Sequence, residues 1–310
     1  MRFLIIAPVR AEHTKGVEIS CLWGLSCVTI QSLNFEQQKH EMSDLNSDDP
    51  WRDLEYSFGR RLFYYWMMTW GSVMTVLSSV GFVLTQTIFR KKDLFTWWSR
   101  FWSRSMFAGT GIRVEYVRRV ELDCRSSYVF ASNHQVLVDI PILSVAIPCS
   151  FGFVAKSELG RVPFLGQAIQ HSPSVFVDSS NARKSYESIK IAGKRIRAGT
   201  SVIIYPEGER TYRRDLLPFQ RGAFILALEA GVPIVPVTIL DAYQIFNEQT
   251  KLARPGVVRV VVGRPINLEG LTRADIPEVM TNVRQEIERQ FNFDNEIPME
   301  TNVLDESIRR

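Results

Sequence analysis

An uninterrupted apolar run is the feature of this sequence that most restricts its fold. No residue from 62 to 89 carries a charge, and a helix over this run would extend about 42 Å at about 1.5 Å per residue. A bilayer core needs only ~20 apolar residues in a helix. Five aromatic residues lie between positions 63 and 70, where a belt at the membrane interface is expected. The run predicts a membrane-embedded helix. The alternatives are a buried core helix and, because of Gly71 and Gly81, a bent helical pair that enters one leaflet.

The charges around this run predict its orientation. Three arginines lie between positions 52 and 61, whereas five lysines and arginines lie between positions 90 and 104. Because cytosolic flanks carry the excess of Lys and Arg, a single span would put the rest of the chain on the cytosolic side. Residues 95–107 are rich in Trp and Phe, and Arg100 and Arg104 share one helical face. They predict a second helix, which either lies in the membrane interface or packs against the folded domain.

The two ends of the chain differ from its middle. Residues 1–57 contain short apolar pieces that do not follow the order of a secretory signal peptide, and their second half is polar and acidic. Met42 is a candidate true start, a hypothesis that a detected peptide from residues 2–41 would contradict. The predicted organisation is a poorly ordered segment (1–57), membrane-embedded and interfacial helices (58–110), a folded domain (111–292) and a polar tail (293–310).

Charge and cysteine content narrow the possible functions. The net charge is only +4, too small an excess to indicate a nucleic-acid partner. Basic residues nevertheless cluster beside the apolar run and between positions 183 and 221, which indicates anionic lipid headgroups and an anionic substrate. The four cysteines, at positions 21, 27, 124 and 149, show no metal-ligand spacing. We therefore expect no zinc site and no disulfide, as in a reducing compartment.

After position 111, short β-branched runs alternate with helical stretches. The predicted strands are 113–117, 128–132, 151–155, 174–177, 201–205, 233–238 and 257–262. The predicted helices are 140–147, 183–198, 220–230 and 273–291. Such alternation is typical of an α/β domain. We predict a mostly parallel central sheet flanked by helices and preceded by the membrane-embedded helical segment.

A histidine and an aspartate follow the second predicted strand. His134 comes two residues after the strand end, and Asp139 lies five residues further on. Five residues turn a helix by about 500°, so the side chains meet only if His134 lies in the turn and Asp139 in the first turn of the next helix. Such a carboxylate fixes the tautomer of an imidazole and stabilises the imidazolium. With no nucleophilic serine or cysteine nearby, we expect His134 to act as general base on a substrate hydroxyl. The alternative is a capping aspartate beside an unrelated histidine.

A second polar cluster follows the predicted strand 201–205. Residues directly after a parallel strand lie at the carboxyl edge of the sheet, where α/β proteins bind ligands. Gly208 permits close approach of the backbone, and Arg210 is suited to hold a phosphate through two hydrogen bonds. Glu207 is expected either to hold that arginine or to contact a glycerol. A solvated turn is the alternative.

Several ordered motifs resemble those of the glycerolipid acyltransferases typified by 1-acyl-sn-glycerol-3-phosphate acyltransferase. Residues 133–139 (Asn-His-x4-Asp) are similar to the first motif of that family. Residues 205–210 (Tyr-Pro-Glu-Gly-Glu-Arg) look like the third, usually F-P-E-G-T-R, and residues 232–237 look like the fourth. Residues 155–166 are also similar. The resemblance covers about residues 95–270, with the motifs in the expected order.

The resemblance implies a catalytic pair and a set of substrate-binding residues. His134 is implied as the base and Asp139 as its partner. Residues 232–237 are implied as a buried strand near the acyl-donor site, although they also suit an ordinary core strand. The implied substrate-binding residues match motif positions near the glycerol phosphate of the acceptor: Asn133, Lys156, Glu207, Gly208 and Arg210.

Three positions depart from the pattern of the family. The second motif normally carries an arginine where Ser179 follows Asp178 here, and Arg183 is the nearest candidate to replace it. Glu209 stands where threonine is usual, so a carboxylate adjoins the implied phosphate site and should weaken anion binding unless nearby arginines compensate. Val136 replaces a common serine. These departures concern the identity of the acceptor more than acyl transfer itself.

The function implied is transfer of a fatty acyl chain from acyl-CoA or acyl carrier protein to the free hydroxyl of 1-acyl-glycerol-3-phosphate. The expected partners are that donor, a lysophospholipid acceptor and membrane lipids, and the expected place is a membrane with the catalytic domain on the cytosolic side. We expect no cofactor, because the thioester is already activated. The alternatives are another lysophospholipid or glycerol 3-phosphate as acceptor, and a catalytically silent lipid-binding relative. A serine lipid hydrolase is not expected, since the chain has no G-x-S-x-G motif.

Overall fold

The two predicted N-terminal helices form an antiparallel hairpin. The computed structural model describes residues 58–91, 93–178 and 182–292, and the predictions made for 1–57, Ser179 and 293–310 lie outside the described residues. Helix α1 is Phe58–Phe89 and helix α2 is Leu94–Ala108.

Tryptophan side chains of α2 join the two helices. Trp98 Nε1 donates a hydrogen bond to Thr85 Oγ1 (2.9 Å), and its ring lies directly over Gly81, where a Cβ atom would clash. Trp102 makes an equivalent bond to Thr75, nearer the start of α1 (3.0 Å). Because a buried indole N–H needs an acceptor, these threonines fix where α2 lies along α1.

Helix α1 is long and apolar enough to cross a membrane, and only 17 % of its most apolar window is buried. A core helix of a soluble domain would be mostly buried, so this low burial argues against that alternative. On its buried side, α1 contacts α2 and the folded domain, where Tyr64 stacks on Phe246 with ring centroids 5.2 Å apart. The opposite side presents large exposed apolar residues, a surface that soluble proteins rarely leave open.

A seven-stranded sheet forms the centre of the folded domain. Its strands are β1 (Ile112–Arg118), β2 (Val129–Ser132), β3 (Phe151–Lys156), β4 (Val175–Val177), β5 (Ser201–Ile204), β6 (Ile234–Leu240) and β9 (Gly256–Val262). The spatial order is β1-β9-β6-β2-β5-β3-β4. Every neighbouring pair is parallel except β6 and β9. The predicted mostly parallel sheet is therefore confirmed.

Helices cover both faces of the sheet. After the hairpin they are α3 (Asp139–Ala146), α4 (Leu165–His171), α5 (Ala182–Arg197), α6 (Arg221–Ala230), α7 (Ala242–Ile245) and α8 (Ile276–Asn292). Residues of α1, α2 and α3 share one apolar core, and residues of α5, α6 and α8 share a second core on the opposite face. Alternation within β2 links the two: Phe130 enters the first core and Val129 the second, both with no exposed surface.

The sequence did not predict several short elements. They are the 3₁₀ turn Ser157–Arg161, α4, α7, and a hairpin of β7 (Phe246–Asn247) and β8 (Leu252–Ala253). None of these helices and strands is longer than seven residues, which is too short for a hydrophobic period to emerge. The β7–β8 hairpin becomes important for the site described below.

The expectation of no disulfide is wrong. Cys124 and Cys149 are joined by a disulfide bond, although 25 positions separate them. Cys124 lies in the connection between β1 and β2, and Cys149 lies between α3 and β3. Only the fold brings these two connections together, so no local spacing could signal the pair. Such a bond persists best outside a reducing compartment.

The strands arrange the predicted site residues at one edge of the sheet. Strands β2, β3, β5 and β6 are mutually parallel, so their carboxyl ends meet at the same edge. His134 follows β2, Lys156 ends β3, and residues 206–211 follow β5. Strands β1 and β9 run the other way relative to β6 and end at the opposite edge.

Candidate active site

His134 and Asp139 meet in the turn between β2 and α3. His134 Nδ1 lies 2.8 Å from Asp139 Oδ2. The same oxygen accepts the backbone N–H groups of Gln135 (2.6 Å) and Val136 (2.9 Å). Asp139 is fully buried and is the first residue of α3. One carboxylate oxygen thus closes the turn before the helix and orients the imidazole, which is the arrangement that the five-residue spacing predicts.

This geometry determines what His134 can do. Because Nδ1 is bound to the carboxylate, the neutral ring carries its proton there, and Nε2 is left with a lone pair. His134 is 9 % exposed, so its surroundings shield it from most water. A ring of this kind can accept a proton from a substrate hydroxyl, after which the adjacent carboxylate stabilises the imidazolium.

Tyr205, the residue after β5, holds the plane of the imidazole. Its ring stacks on His134 with centroids 3.9 Å apart and planes 15° apart. Its hydroxyl is buried without a hydrogen-bond partner among the described residues. Burial raises the pKa of this phenol well above its ordinary value, and the charge of Asp139 raises it further. Tyr205 therefore stays neutral beside the histidine. The sequence placed this residue at a strand end and at the start of the third motif, but indicated no contact with His134.

Asn133 fastens the His134 turn to β6. Its side-chain Nδ2 donates to the carbonyl of Ile239 (3.0 Å), and its Oδ1 accepts the N–H of Ile239 (2.7 Å). Asn133 is 1 % exposed. Since both ends of its amide are engaged inside the protein, its geometry is that of a structural link rather than of the substrate contact that the motif implied.

Glu207 holds the backbone of the His134 turn. Its carboxylate accepts the backbone N–H of His134 (2.7 Å) and of Leu217 (2.7 Å), and it is 2 % exposed. Burial raises its pKa from 4.5 to about 7, against the opposing effect of those two N–H groups. The structure does not contain the expected contact between Glu207 and Arg210. The Glu207 carboxylate points to the histidine backbone instead.

Arg210 is held by a residue that the sequence did not single out. Arg210 Nη1 lies 3.0 Å from Glu248 Oε1. Glu248 lies between β7 and β8, where no motif or charge pattern marked it. Burial raises the pKa of the Glu248 carboxyl, and the charge of Arg210 opposes this rise. Glu248 thus takes the role that the sequence suggested for Glu207.

The two motif loops are bonded to each other. The N–H of Thr211 donates to the carbonyl of His134 (2.9 Å), and that of Tyr212 to the carbonyl of Gln135 (3.0 Å). Gly208 has φ +78°, a left-handed conformation that favours glycine. The histidine and the arginine therefore lie on one connected loop pair.

The other residues that the sequence singled out lie in different parts of the fold. Lys156 is exposed at the end of β3, on the same sheet edge. Arg183 lies in the first turn of α5. Val136, which replaces the common serine, is fully buried in the core on the α3 face, and Glu209 is exposed. Within 58–91, 93–178 and 182–292, no group of three or more His, Cys, Asp or Glu side chains is placed to hold a metal ion.

Comparison with known proteins gives one consistent family. The family model described as acyltransferase matches residues 112–240. The 1-acyl-sn-glycerol-3-phosphate acyltransferase of Saccharomyces cerevisiae is 29 % identical over 238 residues, which cover 74 % of this chain and 77 % of that protein. The human 1-acyl-sn-glycerol-3-phosphate acyltransferase beta is 32 % identical over 191 residues, covering 61 % and 69 %.

A solved structure supports the fold. The crystal structure of the 1-acyl-sn-glycerophosphate acyltransferase from Thermotoga maritima matches with a TM-score of 0.64 and 22 % identity. The match covers 76 % of this chain and 95 % of that chain. This likeness supports the overall α/β fold of the chain.

Proposed function

Because the chain belongs to the 1-acyl-sn-glycerol-3-phosphate acyltransferase family, a family of O-acyltransferases, we propose that it acylates the free hydroxyl of 1-acyl-glycerol-3-phosphate. The acyl donor in this proposal is acyl-CoA or acyl carrier protein, and the product is phosphatidic acid. The observation that carries the proposal is the His134–Asp139 pair, 2.8 Å apart, at the ligand-binding edge of the sheet.

In the proposed mechanism, His134 Nε2 removes the proton of the acceptor hydroxyl while that oxygen attacks the thioester carbonyl. The C–O bond forms and the C–S bond breaks. The imidazolium then gives its proton to the departing thiolate, which leaves as the free thiol, and His134 is neutral again. Asp139 stabilises the imidazolium between these two steps. General-base help of this kind contributes about 10²–10⁴ in rate. Tyr205 and Glu207 keep the ring and backbone of His134 in place throughout.

The phosphate of the acceptor is proposed to bind on the neighbouring loop. Arg210 offers a planar guanidinium that matches a phosphate with two hydrogen bonds. Lys156 and Arg183 are proposed to add positive charge around it. We also propose a division of the chain into two parts. Residues 58–110 form the membrane-embedded part, and residues 111–292 form the catalytic domain.

An acceptor panel tests the proposal. Purified enzyme in detergent would receive oleoyl-CoA with lysophosphatidic acid, glycerol 3-phosphate or lysophosphatidylcholine, and released thiol would be measured. We expect the highest kcat/KM with lysophosphatidic acid. A higher value with either other acceptor would replace the proposed substrate. The exposed carboxylate of Glu209, next to Arg210 in the chain, is the observation that favours an acceptor without a phosphate monoester, such as lysophosphatidylcholine.

The exposed apolar side of α1 supports membrane association, and the excess of Lys and Arg after this helix supports a catalytic domain on the cytosolic side. The Cys124–Cys149 disulfide favours an oxidising compartment instead. A protease-protection assay on sealed microsomes distinguishes a catalytic domain on the cytosolic side from one in an oxidising compartment. We expect digestion of the catalytic domain by protease added outside, whereas full protection would overturn the cytosolic orientation.

A further inference from the structure

The contact between Glu248 and Arg210 is built into the fold rather than formed by two mobile surface side chains. The side chains are 16 % and 28 % exposed, and the oxygen–nitrogen distance is 3.0 Å. The other carboxylate oxygen of Glu248 faces the backbone N–H of Leu137 at 3.4 Å. Leu137 lies between His134 and Asp139, so Glu248 reaches both the arginine loop and the histidine turn.

The turn that carries Glu248 is itself rigid. Asn247 is 5 % exposed, and its Oδ1 accepts the N–H groups of Gln249 (2.9 Å) and Thr250 (3.0 Å). Phe246, the preceding residue, is 1 % exposed and stacks on Tyr64 of α1. The hairpin is therefore seated on the membrane-associated helix and presents Glu248 in a fixed position.

The bond to Glu248 determines which edge of the Arg210 guanidinium can face a ligand. Glu248 bonds to Nη1, while the Nε atom of Arg210 is buried and has no hydrogen-bond partner among the described residues. A guanidinium held at Nη1 keeps its Nε–Nη2 edge for a second partner, and this edge matches two oxygens of a phosphate. A buried donor without a partner is costly, so a phosphate oxygen that displaces the atoms now covering Nε would satisfy it.

We propose that Glu248 is the positioning residue that fixes Arg210 for recognition of the acceptor phosphate. Glu248 holds the guanidinium at Nη1 so that the Nε edge meets the phosphate without first losing conformational freedom. This inference rests on the proposed function, because it concerns the acceptor of the same site. It adds a residue from outside every motif and connects headgroup binding to the hairpin seated on α1.

Two substitutions separate geometry from charge. Glu248→Gln keeps the length of the side chain and an oxygen that can accept from Nη1, but removes the charge. Glu248→Asp keeps the charge but is one methylene shorter, so its carboxylate falls short of Nη1. If Glu248 acts by position, we expect the KM for lysophosphatidic acid to rise at least tenfold in Glu248→Asp and to stay within about threefold in Glu248→Gln. We expect the kcat and the KM for oleoyl-CoA to change less than about threefold in both variants.

A matched control and a second-site test complete the experiment. Glu229→Ala removes another glutamate paired with an arginine (Arg273), at the end of α6 that leads to the amino end of β6, and should leave both KM values unchanged. In an Arg210→Ala background, Glu248→Asp should raise the acceptor KM no further, because the residue it positions is gone.

The outcomes distinguish a failure of the positioning role from a failure of the proposed acyltransferase function. An unchanged acceptor KM in Glu248→Asp, or an equal rise in Glu248→Gln and Glu248→Asp, would overturn the positioning role and leave the acyltransferase proposal standing. An additive rise in the Arg210→Ala background would also overturn it. Failure of the wild type to use lysophosphatidic acid would overturn the proposed function and this inference together.

Discussion

Asp139→Asn should separate catalysis from folding at the His134 turn. Asp139 Oδ2 accepts three hydrogen bonds, from the imidazole and from the N–H groups of Gln135 and Val136. An asparagine carbonyl oxygen in the same place can accept all three, so the turn and the start of α3 should persist. Replacing charge-assisted bonds by neutral ones should lower the free energy of unfolding by about 1–3 kcal/mol.

The loss of activity should be larger. When His134 takes a proton, its charge and that of Asp139 are centred about 4 Å apart, and such a pair attracts with about 4 kcal/mol at an effective dielectric of about 20. Asparagine removes this attraction from the transition state. Since each 1.36 kcal/mol is a factor of ten in rate, kcat/KM should fall about 10³-fold.

The assay is thiol release under subsaturating acceptor, with thermal denaturation of the same preparations. Ser144→Ala is the matched control, because Ser144 is a buried polar residue of the same helix that, among the described residues, bonds the carbonyl of Ile140 (2.9 Å) and no atom of the site. It should keep nearly full activity. A loss below tenfold in a folded Asp139→Asn enzyme would refute the proposed role of Asp139 as the partner of a catalytic base.

Three further predictions concern other parts of the molecule. Since burial raises the pKa of Glu207 from 4.5 to about 7, the folded state binds more protons than the unfolded state between these values. The contribution of Glu207 to the stability of the wild type should therefore fall by about 3 kcal/mol as pH rises from 4.5 through 7, and Glu207→Gln should remove this part of the slope in denaturation curves. Trp97 and Phe101 stack on each other and are 58 % and 45 % exposed. Changing both to Asp should weaken binding to lipid vesicles at least tenfold, about 2 kcal/mol, in flotation assays, and unchanged flotation would count against their place in the membrane. Reduction should cost the wild type about 3 kcal/mol of stability through loss of the Cys124–Cys149 disulfide, but should not affect Cys149→Ser, as measured by melting with and without dithiothreitol.

The parts of the site that the sequence predicts are local along the chain. His134 and Asp139 are five positions apart, and helix geometry alone says where they must lie to meet. The strands are also local, because each is a short β-branched run whose side chains alternate between two buried faces. Once the strands are parallel, the carboxyl-edge rule brings the turn after β2 and the loop after β5 together.

The parts that the sequence misses depend on distant contacts. Glu207 and Arg210 are three positions apart, yet Glu207 turns inward to the backbone of His134, while Arg210 turns to Glu248, 38 positions away. The stack of Tyr205 on His134 spans 71 positions, and the disulfide spans 25. None of these pairs has a periodic or motif signal, because each depends on how loops of different strands pack at the sheet edges.

The catalytic assignment is tested most directly by thiol release from oleoyl-CoA with lysophosphatidic acid, comparing the wild type and His134→Ala in the same detergent. We expect release to require both the lipid and His134, with a loss of at least about 10²-fold in the variant and a melting temperature close to that of the wild type. Equal release by a folded His134→Ala protein would contradict a catalytic histidine. If neither protein releases thiol with any lysolipid and donor, the chain would be a lipid-binding member of its family rather than an enzyme.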